Sequence, residues 1–279
     1  MNRFFAFLKH SYVYLILIFT YIPLLFAVIF SFNKPSEKGF LSFSFNSFSN
    51  DAYNNLFADG RDTALLNSFI IALCTAILVV SISLVTVYAM WKQRNKKYGA
   101  VVKSINNIPL INPDNITAIG LVLVFSILFG SLAATSEGLF RGIVGHAIMA
   151  LPYGVTLMYP RSEKFNRSLL EASQDLGYNK FKSWFKTYFV YMLPVIIFAG
   201  TVAAILSFDD FIILRTITNT STLGTKLYEG EFQVWALALG SVLMFITIAG
   251  NAIYIWRKAH LVKKAKKIKN AQKKGGHNE

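Results

Sequence analysis

Sulfur chemistry is nearly absent from this chain, whose single cysteine is Cys74. That excludes an intrachain disulfide and any cysteine metal cluster, and the place of Cys74 inside an apolar run marks it as a small packing residue. Other signatures are missing too. No GxxxxGK[ST] phosphate loop occurs, so the chain does not cradle nucleotide by that route. Neither HExxH nor Gly-x-Ser-Gly is present, which removes two common forms of an intramembrane enzyme. Acidic residues are scarce, 14 against 28 lysines and arginines, and the formal net charge is +14.

Charge of either sign is also missing from six long stretches. They are His10–Asn33, Thr63–Trp91, Asn115–Ser136, Gly142–Pro160, Thr187–Phe208 and Phe232–Trp256, of 24, 29, 22, 19, 22 and 25 residues. A helix needs about 20 apolar residues to cross the hydrocarbon core. The pattern predicts an all-α integral membrane protein with six spans, at about 11–32, 64–91, 109–130, 142–160, 188–208 and 232–256. Residues 1–256 are expected to form one transmembrane domain, followed by a basic tail over 257–279. The first stretch is longer than the roughly 7–15 residues of a signal-peptide core and no small-x-small site closes it, so it is expected to be a retained span.

Six spans put both termini on one side. That side carries 22 of the lysines and arginines and the other carries 6. The positive-inside rule therefore predicts cytoplasmic N- and C-termini. The opposite face holds nine acids, namely Glu37, Asp51, Asp59, Asp62, Glu137, Asp209, Asp210, Glu229 and Glu231. The tail "RKAHLVKKAKKIKNAQKKGGHNE" has no aromatic residue for stacking and follows a membrane helix directly. It reads as a solvated helix end attracted to anionic membrane lipids, not as a nucleic-acid site. The segment "FLSFSFNSFSNDAYNNLFADG" is expected to form an ordered cap over the spans.

The loop 161–187 is much longer than the usual 4–6 residue connection. Leu169, Leu170, Ala172, Ser173 and Leu176 recur at helical spacing, Gly177 supplies a break, and Phe181, Trp184 and Phe185 follow. Two short helices joined at a glycine would present a knob to a partner groove. The alternative is an amphipathic connector lying on the membrane surface.

Within that loop, "EASQDLG" (Glu171 to Gly177) resembles the EAA loop of ABC importer permeases. The likeness extends along the chain. "YIPLLFAVIFSFN", "LLNSFIIAL", "NPDNITAIGLVL", "GHAIMALPYGVTLMYPR" and "AGTVAAILSFDDFIIL" are similar to successive spans of the polyamine branch, the C-type permease subunits of spermidine/putrescine importers. The resemblance implies a type I (MetI-like) permease fold. It also implies an ABC ATPase homodimer that binds the ATP, a second permease subunit forming a heterodimer, and an extracytoplasmic polyamine-binding protein. No cofactor is expected on this chain. Glu171, Ala172, Ser173 and Gly177 would form the helix that couples ATPase closure to alternating access. Two positions depart from the family pattern: Ser173 stands for alanine, and Phe189-Val190 replaces a Leu-Pro, while Pro194 matches a second proline.

Asp209 and Asp210 interrupt "ILSFDDFIIL". At about 1.5 Å per residue, the preceding helix leaves them at the outer boundary of the fifth span. Ionised aspartate costs about 2.5–3.5 kcal/mol at mid-span and far less at the interface. They either end the helix in water or face a substrate pathway as a gate. His146 is expected to be hydrogen-bonded in the bundle interior, and Pro152 and Pro194 to kink their helices. A related permease for iron, thiosulfate or molybdate is the alternative, although oxyanions would prefer basic groups where the aspartates stand. A secondary transporter would need ionisable groups near the midplane or repeat symmetry, and neither is visible.

Overall fold

The computed structural model describes residues 2–42, 44–93, 95–129, 138–228 and 232–275. Glu137, Glu229 and Glu231, the last residue of the stretch 109–130, and residues 276–279 of the tail lie outside that set. In chain order the helices are α1 (Asn2–Phe30), α2 (Asp51–Asn54), α3 (Arg61–Gln93), α4 (Lys96–Ile111), α5 (Asp114–Phe129) and α6 (Gly138–Glu163). They continue with α7 (Arg167–Asp175), α8 (Lys180–Ser183), a π turn (Trp184–Phe189), α9 (Val190–Phe208), α10 (Ile212–Ile217), α11 (Leu223–Tyr228) and α12 (Val234–Gly275). Only two isolated β-bridges occur among the described residues. The all-helical expectation is met.

Among the described residues, five helices are long and apolar enough to cross a membrane: Tyr12–Phe30, Arg61–Gln93, Gly138–Glu163, Lys180–Phe208 and Val234–Leu261. A further candidate is the pair Lys97–Ile111 and Asp114–Leu128, bent by 106°. The bend falls inside the stretch 109–130. Its cause is local. Pro113 disfavours helix at the residue before it, and Asn112 is extended at φ −71°, ψ 136°.

The chain divides into two compact units, Met1–Phe57 with Gly230–Glu279, and Ala58–Glu229. In the first, the polar Phe/Ser/Asn segment is ordered around one buried side chain. Asn33 donates from Nδ2 to Ser44 O at 2.8 Å and accepts the Asn46 amide through Oδ1 at 2.8 Å. Phe32 stacks on Phe48 and Tyr53, and Tyr53 OH meets Ser31 Oγ at 2.7 Å. Backbone bonds from Leu41 to Phe232 and from Val234 to Gly39 tie the segment to the start of α12. The 42 residues of α12 extend about 63 Å, twice the hydrocarbon thickness of about 30 Å.

In the second unit, α3, α6 and α9 pack on one another. Lipid tails are as apolar as leucine, so close packing and interhelical hydrogen bonds hold such helices together. At the α3–α6 crossing, Gly154 leaves the room that Ser83 and Val79 occupy. Asn106 of α4 donates to Pro152 O at 3.2 Å and to Thr156 Oγ1 at 3.0 Å, joining α4 to α6. Pro152 and Pro194 lie inside α6 and α9, the first buried and the second exposed.

Candidate functional sites, a capped knob and an aspartate corner

The loop after α6 is built from helix caps. The Asn166 side chain accepts the Ser168 amide at 3.1 Å and starts α7. The helix stops at Gly177, whose φ is +86°. Gly177 N–H donates to Gln174 O at 2.8 Å and Tyr178 N–H to Ser173 O at 3.2 Å, the two bonds of a Schellman motif. Among the described residues nothing lies within 4 Å of where a Cβ on Gly177 would stand, so the left-handed backbone demands glycine and crowding does not. Asn179 then accepts the Lys182 amide at 2.8 Å and starts α8.

The apolar residues of α7 do not share one face, contrary to the sequence expectation. Leu170 and Ser173 are buried, and Ser173 Oγ donates to Leu170 O at 2.7 Å. Leu169, Ala172 and Leu176 point outward, with Leu176 78% exposed, and Phe181 beyond the glycine is 76% exposed. Successive residues are about 100° apart, so Leu169 and Leu170 cannot face the same way. Glu171 and Arg167 form an exposed pair at 3.0 Å.

Behind the knob lies an aromatic cluster. Ser162 Oγ donates to Val87 O at 3.0 Å, which leaves it to accept from the buried Tyr188 OH at 2.6 Å. Trp91 Nε1 donates to Phe165 O at 3.1 Å. These bonds join α3, α6 and the π turn. Where the family pattern has proline, this chain has Val190, and helical bonding runs on from Lys180 to Phe208, widened to a π turn over Trp184–Phe189.

Asp209 closes α9 and Asp210 opens α10. Asp210 Oδ2 accepts the amides of Ile213 at 3.0 Å and Leu214 at 3.1 Å, pairing donors that a helix start leaves free. The same oxygen lies 3.4 Å from His146 Nε2. His146 is fully buried on α6, as an interior residue should be. Its 3.4 Å approach to Asp210 lacks hydrogen-bond geometry, and neither ring nitrogen has a hydrogen-bond partner among the described residues. The expectation of a hydrogen-bonded histidine is corrected to that extent. Asp210 has a side chain only 10% exposed, whereas Asp209 is exposed.

Phe211 to Leu214 do not prolong the fifth span. Ile213, Leu214 and Ile217 of α10 are fully buried. Ile213 and Ile217 pack with Ala118, Leu121 and Phe125 of α5. Gly224 of α11 sits against the Asp209–Asp210 backbone, and a Cβ there would collide with both carbonyl oxygens. The His146 and Gly224 contacts carry no sequence signal, because their partners are remote in the chain.

This architecture has a counterpart of known structure. A bacterial ABC transporter involved in the import of the acidic polysaccharide alginate includes a chain that matches with a TM-score of 0.64 at 15% identity, over 91% of this chain and 96% of that one. The fold is that of an ABC importer permease, in a multi-pass membrane protein. No family model matches the chain. Its sequence nevertheless belongs to the PotC family of spermidine/putrescine transport system permease proteins. The PotC homolog of Mycoplasma genitalium is 34% identical over 270 residues, covering 94% of each chain. That of Mycoplasma pneumoniae is 34% identical over 250 residues, 86% of this chain and 87% of the relative. PotC of Escherichia coli K12 is 25% identical over 225 residues, 80% and 81% of the two chains.

Proposed function

We propose that this chain is a permease subunit of an ATP-driven importer that carries polyamines into the cell, with both termini in the cytoplasm. The observation that carries the reading is the α7–α8 knob: two asparagine caps and a Schellman glycine fix a short helix whose exposed stripe of Leu169, Ala172 and Leu176 has no cover among the described residues. Such a stripe suits a groove on an ABC ATPase homodimer, which binds and hydrolyses the ATP, so the permease itself needs no cofactor. Closure of the ATPases then rocks this subunit and a second permease between inward- and outward-facing states. Glu171, Ala172, Ser173 and Gly177 belong to that coupling element.

The names of the relatives support spermidine and putrescine as cargo, delivered by an extracytoplasmic binding protein. The excess of lysine and arginine on the knob's side supports the orientation. Of the two aspartates, Asp209 is the one offered to an incoming cation, since the carboxylate of Asp210 already serves α10. The test is ATPase activity of the reconstituted complex with its binding protein, titrated with spermidine, putrescine, iron and oxyanions. Stimulation by polyamines alone is expected. Stimulation by iron or an oxyanion without any response to polyamines would reassign the cargo.

A further inference from the structure

A cleft of about 350 Å³ opens between the end of α3 and the knob, lined among others by Tyr88, Trp91, Lys92, Arg167, Glu171 and Lys180. We propose that it binds the phosphate of an anionic phospholipid headgroup. Three observations lead there, and none depends on the cargo or on an ATPase.

The first is depth. Lys92 is the first charged residue after the stretch Thr63–Trp91, so the cleft begins where α3 leaves the hydrocarbon. Tyr88 and Trp91 stack at 5.6 Å on its wall, and such amphipathic rings sit at headgroup level. The second is charge. Three cations line the cleft with one carboxylate, and Glu171 already takes Arg167 Nε at 3.0 Å. Among the described residues, Lys92 and Lys180 have no carboxylate partner, which leaves two ammonium groups for a phosphate. Their stems can lie along apolar surface while the charges reach the headgroup layer.

The third is the face of α7 that is used. Arg167, Leu170, Glu171 and Gln174 line the cleft at helical spacing. The exposed residues Leu169, Ala172 and Leu176 lie on the opposite face, since each residue turns the helix by about 100°. A headgroup in the cleft would therefore brace the knob from behind and leave its outward stripe open. Lys180 at the start of α8 and Lys92 at the end of α3 would be bridged by one anion, which sets the angle at which the knob stands.

The test is native mass spectrometry of the purified full chain, exchanged into equal parts of dioleoyl phosphatidylglycerol and dioleoyl phosphatidylcholine. The wild type is expected to retain phosphatidylglycerol selectively. At about 1 kcal/mol per basic residue near the membrane surface, Lys92→Gln with Lys180→Gln should weaken the tightest bound phosphatidylglycerol about 30-fold. Lys92→Arg with Lys180→Arg should keep it, which separates lost charge from lost folding. Lys263→Gln with Lys264→Gln in the tail should also keep it. Three results would overturn the proposal: unchanged retention in the glutamine variant, loss of retention in the arginine variant, or displacement of the lipid by equimolar inorganic phosphate, which would mark a free anion as the ligand. Normal lipid retention with loss of ATPase co-purification in the glutamine variant would make the cleft a protein contact and overturn it equally.

Discussion

The knob and the aspartate corner are both places where one helix stops and another starts, and both use a side-chain oxygen to pair amides left free at a helix start. At the knob the oxygens belong to Asn166 and Asn179, and the surrounding surface is open. At the corner the oxygen belongs to Asp210, and His146, Gly224 and the buried face of α10 close around it. A carboxylate between apolar neighbours invites a reading as a pore group. The corner shows that one of two adjacent carboxylates can be fully employed in holding a turn together while the other faces outward. The knob shows the reverse allocation: structural work falls to uncharged residues, and Glu171 stays at the surface.

The contrast can be attacked most strongly at the two glycines. Gly224→Val forces a side chain into the Asp209–Asp210 backbone, which cannot step aside as a flexible side chain would. Overpacking of this kind costs about 3 kcal/mol, and thermal unfolding in detergent should register it as a large drop in midpoint. An unchanged midpoint would mean the corner is looser than its packing suggests. Gly177→Ala meets no neighbouring atom and pays only for the left-handed backbone, about 1–2 kcal/mol. Its main effect should appear as lost coupling between ATPase and uptake.

The next test separates the aspartates. Asp210→Ala removes the side-chain oxygen that pairs the first amides of α10 and leaves His146 buried without its polar neighbour, for a loss of about 1–2 kcal/mol. Asp209→Ala should leave the stability within about 0.5 kcal/mol, as at other exposed positions, and should slow polyamine uptake. If both variants unfolded alike, or if only Asp210→Ala slowed transport at full stability, the division of labour between them would be wrong.

What the sequence showed follows the same line between local and remote. The spans were legible because hydrocarbon tolerates few charges, and α1, α3, α6, α9 and α12 overlap the charge-free stretches. Gly177 was legible as a break because a helix stop is decided within a few residues. The 106° bend was within reach too, in the sequence Asn112-Pro113. The split of α7 needed only the 100° rotation per residue, but which side would be covered depends on α3 and the π turn. His146 beside Asp210, and Gly224 against the aspartate backbone, are set by how α6, α10 and α11 meet. Nothing in the neighbourhood of any one of them announces the others.

The smallest expected effect is also the one that isolates function from fold. Glu171 and Arg167 form an (i, i+4) pair with side chains 60% and 58% exposed. Water screens such a pair, and on a helix it is worth about 0.2–0.5 kcal/mol. Glu171→Gln should therefore hardly move the unfolding midpoint, since Asn166, Gly177 and Asn179 define the knob without it. If the glutamate, on the cleft side of α7, holds the knob at the angle a partner needs, Glu171→Lys should reduce ATPase co-purification or coupled uptake by far more than any change in stability predicts. If uptake tracked stability, the charge at this position would be doing no more for the protein than its weak pair with Arg167.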